Sequence, residues 1–473
     1  MSTTRRSFVS SSLALGSAAN LIRAAATPKP HILFLAVDDL NDWIGSLGGH
    51  PQTKTPNLDR LAARCVNFTN AHCAAPLCNP SRTSLMTCVR PSTSGVYTNN
   101  QPFRESKVLK DAVTIPMHLR QHGYRAIGSG KIYHDAFPDA ASWNDFYPSL
   151  DQQKPKGLWD NRGDRPPLNG IPRTAHFDWG PAEGASDDDM SDGKVVEWVT
   201  QHLAKKQTDP LFLACGLFRP HLPWYVPKKY FDQFPLDSII LPQVNNDDLA
   251  DVPATGVKFA KPNGDHAAVI EHGQWKKAVQ AYLASIAFMD TMVGRVMRAL
   301  ETGPNAQQTA IVLWSDHGWH LGEKLHWRKF SLWEEATHNV LMMSVPGVTK
   351  PGRCSRTVSL LDIYPTLNDV TGAPRLPQLE GTSLMPQLRN PNAPREAPAI
   401  TTYFRGNHSI RTERWRYIHY ADGGEELYDR IQDPMEWTNR AADPKLATAK
   451  AELARWLPKV DAPDSPTRRG GEE

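Results

Sequence analysis

Four apolar runs in this chain each end in a knot of polar residues, and that repetition constrains the fold more than any other feature. Ile32-Leu33-Phe34-Leu35-Ala36-Val37 runs into Asp38-Asp39, and Tyr124-Arg125-Ala126-Ile127 leads to Lys131 and His134. Leu211-Phe212-Leu213-Ala214 precedes Arg219 and His221, and Ile311-Val312-Leu313-Trp314 precedes Asp316-His317. Strands buried on both faces read as unbroken hydrophobic stretches. Ligands of open α/β sheets bind outside the carboxyl ends of such strands. Carboxylates, imidazoles and cations placed there four times over predict one site at one sheet edge.

The chain has 473 residues, enough for one large domain and a smaller one. A net charge of +3 gives no reason to expect nucleic acid or a membrane surface as partner, and beyond the first residues no apolar stretch reaches the length of a membrane span. Proline (39) outnumbers glycine (31), which predicts long irregular loops. Residues 1–26 read differently. Arg5-Arg6-Ser7-Phe8, a weakly apolar stretch from Val9 to Ile22 and then Ala24-Ala25-Ala26 have the order of a twin-arginine export signal, which implies a periplasmic or extracellular enzyme. Six cysteines (65, 73, 78, 88, 215, 354) lack zinc-type spacing, and Cys215, inside an apolar run, reads as a buried thiol.

Apolar residues at Trp275, Val279, Tyr282, Ile286, Met289, Val293, Val296 and Leu300 predict a long amphipathic helix ended by Gly303-Pro304, with Asp290 and Arg295 solvated. Helix followed by strand, repeated, argues for a sheet with helices on both faces. From Gly372 to Pro398 the chain reads as a connecting segment. Short strands at 399–404, 409–411, 415–420 and 426–428, a helix near 447–457 and a disordered charged tail follow. The expected division is 27–385 for a catalytic domain and 386–473 for an α+β subdomain.

Adjacent carboxylates at Asp38-Asp39 would repel if ionised and buried, so a bound cation is one natural compensation; a helix or turn cap is the other reading. With Asp316 and His317 the set is oxygen-rich and suits Ca²⁺ or Mg²⁺ better than zinc. Cys78-Asn79-Pro80-Ser81-Arg82 opens a helix, with Pro80 in the first turn and Leu85, Met86 and Val89 as its packing face. The backbone N–H groups at the helix start and Arg82 one turn on favour an anion beside Cys78.

Cys-x-Pro-Ser-Arg resembles the signature of the type I sulfatases, whose cysteine is oxidised to formylglycine. The other stations are similar and fall in family order: Val37-Asp38-Asp39, Thr55-Pro56-Asn57-Leu58-Asp59, Gly130-Lys131, Arg219-Pro220-His221, Ser315-Asp316-His317-Gly318, Pro346-Gly347, Asp362-Ile363-Tyr364-Pro365-Thr366-Leu367 and Glu426-Leu427-Tyr428-Asp429. The likeness runs from about Pro30 to Leu457. It implies an alkaline-phosphatase-like α/β fold: a large mixed sheet between helices, with a small C-terminal antiparallel sheet and one helix. It also implies a sulfuric ester hydrolase acting on a sulfated sugar or polysaccharide, and a formylglycine-generating or sulfatase-maturing enzyme as partner. Cys78, as hydrated formylglycine, would be the nucleophile, and one Ca²⁺ would be held by Asp38, Asp39, Cys78, Asp316 and His317. Arg82 and Lys131 would stabilise the hydrate, His134 would help expel sulfate, and His221 and Lys329 would grip the sulfate.

The histidine three residues after Lys131, where arylsulfatases usually have it after two, resembles the iduronate 2-sulfatase-like bacterial sulfatases. So does His317, where many relatives have Asn, and so do Trp327-Arg328-Lys329-Phe330-Ser331 and Ala336-Thr337-His338. Lys324 competes with Lys329 for its role. His118 and His122 are expected to face solvent, while His320 and His326 read equally as substrate contacts or ordinary loop histidines. Trp143, Trp159, Trp179, Trp224, Trp319 and Trp327 could stack on sugar rings or pack the core. Competing functions are a phosphonate monoester or phosphodiester hydrolase on the same scaffold, and an inactive carbohydrate-binding relative.

Overall fold

The computed structural model of the chain describes Met1 and residues 29–152, 154–172 and 176–468. The export signal expected over 1–26 lies, Met1 apart, outside the described residues. The strands of the main sheet are β1 (His31–Val37), β2 (Val66–Phe68), β3 (Arg125–Gly130), β4 (Asp145–Tyr147), β5 (Leu211–Leu217), β6 (Thr309–Ser315), β7 (Leu341–Ser344) and β8 (Gly352–Cys354). Their order is β8-β2-β7-β6-β1-β5-β3-β4. The four apolar runs become β6, β1, β5 and β3, which are adjacent and mutually parallel. Their polar ends therefore meet at one edge. In register, Val37 faces Leu217 on one side and Ser315 on the other, so Asp38 and Asp316 leave the sheet side by side. Strand β7, antiparallel to both β6 and β2, makes the sheet mixed.

Strand side chains alternate between faces, and the core divides accordingly. Leu33, Leu35 and Val37 of β1 join a layer with α1 (Pro56–Ala62), while Ile32, Phe34 and Ala36 join one with α2 (Cys78–Thr87). The first layer also takes in α3 (Ser191–Leu203) and α4 (Trp275–Thr302). Strands covered on both faces need apolar residues at every position, which is why the runs are unbroken.

Helix α4 follows the expected periodicity, but Asp290 is buried rather than solvated. Its carboxylate accepts hydrogen bonds from the backbone N–H of Asn57 (3.2 Å) and of Leu58 (2.8 Å), and from Asn57 Nδ2 (2.7 Å). The first turn of a helix has N–H groups without partners. Thr55 offers α1 no side-chain cap, and Asp290 takes that place from across the core. Arg295 is half-buried and pairs with Asp188 at 2.7 Å.

Beyond a segment whose one helix is Met385–Arg389, the chain forms a second sheet, β9 (Ala399–Thr402), β10 (His408–Arg411), β11 (Trp415–His419) and β12 (Glu425–Asp429), paired in sequence order. Helix α5 (Ala447–Ala454) packs Leu453 against Ile410, Tyr417 and Leu427. This sheet is bolted to the main body by buried charges. Arg411 reaches Glu334 at 3.0 Å, and Arg416 pairs with both Glu334 and Glu436.

The tail does not trail away as expected, at least as far as residue 468. It runs along residues 92–101, where Ala462 N–H donates to Ser92 O (2.7 Å), Ser465 N–H to Gly95 O (2.8 Å) and Arg468 N–H to Asn100 O (2.7 Å). Tyr97 donates its hydroxyl to Ala462 O at 2.8 Å. Gly95 has φ +78°, and a Cβ there would lie 2.3 Å from Pro463 O, so only glycine allows so close a pass. Backbone pairing holds this charged tail where its composition predicted no order.

All six cysteines are buried free thiols, Cys215 among them as expected. No helix of the described residues is long and apolar enough to cross a membrane.

Candidate active site

Cys78 is the first residue of α2, and its side chain is almost fully enclosed. Asn79 fixes the helix start. Its N–H donates to Asn99 Oδ1 (3.0 Å), and its amide nitrogen donates to Thr98 O (2.9 Å) and Gln101 O (2.8 Å). Those carbonyls belong to the stretch that the tail clasps. One turn on, Arg82 is wholly buried and joins three strand ends, with Nη2 2.8 Å from Asp38 Oδ1, Nε 2.9 Å from Asp316 Oδ2 and Nη1 2.6 Å from Lys131 O.

Asp39 has φ +58°, a conformation non-glycine residues rarely adopt. Its surroundings over-determine it: its N–H donates to Asp316 Oδ1 at 3.1 Å, and its carbonyl accepts from the Tyr282 hydroxyl at 2.8 Å. The side chain is thereby turned toward Cys78. Asp39 Oδ1 stands 2.9 Å from Lys329 Nζ and 3.2 Å from His317 Nε2. At Lys131, β3 leaves the sheet through Gly130 (φ +81°), where a Cβ would lie 1.9 Å from Gly216 O. Lys131 Nζ reaches Asp38 Oδ2 at 2.5 Å.

Lys329 arrives on a contorted loop, with positive φ at Gly322, Lys324, Leu325, Arg328 and Phe330. The two loop histidines hold that shape. His320 bonds Ser331 Oγ (2.9 Å) and Glu323 O (3.2 Å), while the His326 ring lies between two carbonyls, Nδ1 2.7 Å from Ala260 O and Nε2 2.5 Å from Lys329 O. Both ring nitrogens of each are engaged within the protein, which makes them braces. Lys324 pairs with Asp248 at 2.6 Å, whereas Lys329 Nζ stands 2.8 Å from Cys78 Sγ.

Of the five expected metal ligands, Asp39, Cys78, Asp316 and His317 each bring one ligand atom within 4.8 Å of the others. Asp38 groups instead with Asp39 and His221 and has Arg82 and Lys131 on its two oxygens. His317 Nδ1 bonds Gly318 O at 3.0 Å, so that nitrogen carries the proton and Nε2 presents its lone pair 3.4 Å from Cys78 Sγ. Asp39 Oδ2 is buried without a hydrogen bond and lies 3.7 Å from His221 Nε2. An orphaned carboxylate oxygen beside an aimed imidazole lone pair fits a divalent cation.

Burial pushes the Asp38 carboxyl up, but Lys131 and Arg82 outweigh it and hold the group well below the usual carboxylate range. Burial likewise opposes ionisation of Asp39, and His221 and Lys329 bring it below its ordinary value. The Cys78 thiol moves the other way. Burial raises it far above its usual value, and Lys329 and Lys131 offset this only in part. Burial depresses His317, in keeping with a neutral ring.

His134 and His221 line a cleft of about 450 Å³ beside this cluster, together with Lys131, Lys154, Asp160 and Arg219. All the expected catalytic side chains thus lie in the Cys78 cluster or on the wall of the adjoining cleft. His118 is elsewhere, and it is buried rather than solvated because it bonds Pro374 O at 2.9 Å and packs on Tyr364. Of the six tryptophans, Trp143, Trp179, Trp224, Trp319 and Trp327 are core, while Trp159 is half-buried. Sequence reasoning missed Ser81, whose hydroxyl donates to Asp316 O at 2.6 Å, and the hydrogen-bonding role of Tyr282. Tyr282 reads as one more apolar position of α4, and its hydroxyl was the available signal.

Comparison with known proteins adds an independent line. The Sulfatase family profile matches residues 30–373, and that of N-sulphoglucosamine sulphohydrolase, C-terminal, matches 322–462. A sulfatase of Formosa agariphila is 40% identical over 448 residues, covering 92% of this chain and 87% of that protein. Iduronate 2-sulfatase of Homo sapiens is 29% identical over 443 residues, covering 80% and 79%. Among solved structures, one in complex with its substrate D-glucosamine-2-N,6-O-disulfate superposes with a TM-score of 0.73 at 20% identity, covering 91% of this chain and 97% of that one. The phosphonate monoester hydrolase of Agrobacterium radiobacter reaches the same TM-score at 24% identity, covering 90% and 94%. At those identities the structures speak to the fold alone.

Proposed function

Because this chain belongs to the sulfatase family, we propose that it hydrolyses the sulfuric ester of a sulfated carbohydrate, using position 78 as formylglycine and one Ca²⁺. The observation that carries this reading is the convergence of Cys78, Asp39, Asp316 and His317 into one buried cluster ringed by Arg82, Lys131 and Lys329. A cation held by Asp39, Asp316, His317 and position 78, with Asp38 behind them, would supply positive charge against a sulfate oxygen. Formylglycine would supply, as its hydrate, a hydroxyl nucleophile where a neutral thiol is a poor one.

The chain's own residues do the rest. Asp38, Asp39 and Asp316 match the charges of Arg82, Lys131 and Lys329, so a divalent ion leaves an excess that suits an anionic ester gaining charge as it reacts. Lys131 and Lys329 stay protonated because Asp38 and Asp39 overcome the effect of burial, and they stand ready to stabilise that charge. His134 and His221 line the cleft through which a leaving group departs, where an imidazole can hold or deliver a proton.

Support for an iduronate 2-sulfatase-like activity comes from the Lys131–His134 spacing, from His317 and from the 29% identity to the human enzyme. The Arg5-Arg6 signal supports export, and a formylglycine-generating partner is implied by Cys78.

The test has two parts. Mass spectrometry of the peptide containing residue 78 reads its oxidation state. Sulfate release from defined sulfated sugars is then followed with and without a calcium chelator, beside matched phosphonate and phosphodiester substrates. Metal-dependent sulfate release that exceeds the other two is expected, and faster phosphodiester or phosphonate turnover would falsify the reading.

A further inference from the structure

Lys154 is a cation of the cleft that adjoins Cys78, where the carboxylates of Asp135 and Asp160 act on it without pairing directly with it. It is half-buried, and among the described residues it makes no ion pair. Its ammonium lies 3.4 Å from the centre of the Phe218 ring, a contact that holds the charge in place without neutralising it. Lys131, whose ammonium touches Asp38, lies 5.6 Å from the centre of the same ring. The two ammonium groups are therefore at most 9.0 Å apart, those distances laid end to end. Lys131 belongs to the cluster at Cys78, and Lys154 stands further out along the same wall.

The wall is built to keep it there. Asp192 accepts the backbone N–H groups of Phe218 and Arg219, both at 2.9 Å, which fixes the exit of β5. Arg219 gives its guanidinium to three carbonyls, Tyr225 O, His221 O and Trp159 O, each at 3.2 Å. The last of these ties the loop after Lys154 to the loop that carries His221. Asp160, also on the cleft, accepts the Gly157 N–H at 2.8 Å, and Asp135 lines the same cleft. A solvated lysine would extend into water, but this one is drawn onto an aromatic face. Burial lowers its proton affinity, and Asp135 and Asp160 offset this only in part.

We propose that Lys154 reads a second anionic group, a carboxylate or a further sulfate, on the sugar whose sulfate ester sits at Cys78. The inference rests on the sulfuric ester reading above and deepens it: the substrate is a doubly anionic sugar, recognised at two cationic points of one cleft. Its ester sulfate occupies the Lys131–Lys329 end, and its second anion supplies the direct ion pair that Lys154 lacks among the described residues.

The experiment uses the full chain with formylglycine verified at position 78 and three substrates on one ring: a single sulfate, that sulfate plus a carboxylate, and two sulfates. The wild type is expected to prefer at least one doubly anionic substrate, and which of the two it prefers identifies the second group. K154M should lower the ratio of kcat/KM between that substrate and the monosulfate by about tenfold or more, through KM. K154R, which keeps the charge, should restore most of it. A wild type without preference, or a K154M that slows all three substrates equally, overturns the proposal while leaving the sulfatase reading intact. Release of sulfate from none of them by verified wild type overturns that parent reading, and this one with it.

Discussion

Lys324 and Lys329 sit five positions apart in one loop, and only the three-dimensional arrangement separates their roles. Lys329 touches Cys78 and Asp39, whereas Lys324 closes a buried pair with Asp248. Lys329→Ala should lower kcat/KM for sulfate release by roughly 10²–10³-fold, as loss of a preorganised charge at a reacting centre does, with a smaller change in Tm. Lys324→Ala should do the reverse, destabilising the fold by roughly 3 kcal/mol because it strands a buried carboxylate. Thermal melts and kinetics on both variants decide this, and equal activity losses would contradict it. At this scale much was legible, since Asp38, Asp39, Cys78, Arg82, Lys131, Asp316 and His317 are marked by motif and strand-end position. What stayed hidden were residues defined by partners far away in sequence. Asp290 reads as a solvated acid until Asn57 and Leu58 come beside it, and His118 reads as a surface group until Pro374 covers it.

At the scale of elements, the Asp290 cap joins α4 to α1. Asp290→Ala removes the acceptor of two backbone donors and should cost about 1–3 kcal/mol in chemical denaturation. A cost below a few tenths would mean water replaces the cap. The Lys329 loop carries a titrating group of its own. Burial pushes the Glu323 carboxyl up from 4.5 to about 7 while it accepts the Leu321 N–H at 2.7 Å. A folded value above the unfolded one means the native state binds more protons in between, so stability declines as pH rises from 4.5 toward 7. Glu323→Gln keeps the acceptor and removes the decline, so its Tm should gain on the wild type between pH 4.5 and pH 8. An offset that does not change with pH would rule this out. Periodicity revealed α4 and the four central strands because burial imposes it. The loop from 320 to 331 has no period, and its shape comes from His320 bonding across the loop to Ser331 and from His326 and Lys324 reaching Ala260 and Asp248, segments no local pattern can foresee.

For the molecule as a whole, the main sheet and the C-terminal sheet are held together by charge as well as by packing. Arg416 is fully buried between Glu334 of the main body and Glu436 beyond β12. Arg416→Met should destabilise the protein by about 3–5 kcal/mol, since two buried carboxylates lose a shared partner. Unfolding followed by tryptophan fluorescence and by circular dichroism should stay coincident if the two sheets melt as one unit. Sequence pattern indicated both sheets, but nothing in it told how they are fastened, because the ion pairs join residues separated by dozens of positions.

The clasp of residues 461–468 on the stretch that holds Asn79 has a consequence in time. A polypeptide emerges from the ribosome amino end first, and this clasp emerges some 390 residues after Cys78. At about 5–20 residues per second that is an interval of roughly 20–80 s. Throughout it the helix start around Cys78 lacks its last fastening, so the formylglycine-forming partner proposed above would meet that thiol most readily on the nascent chain.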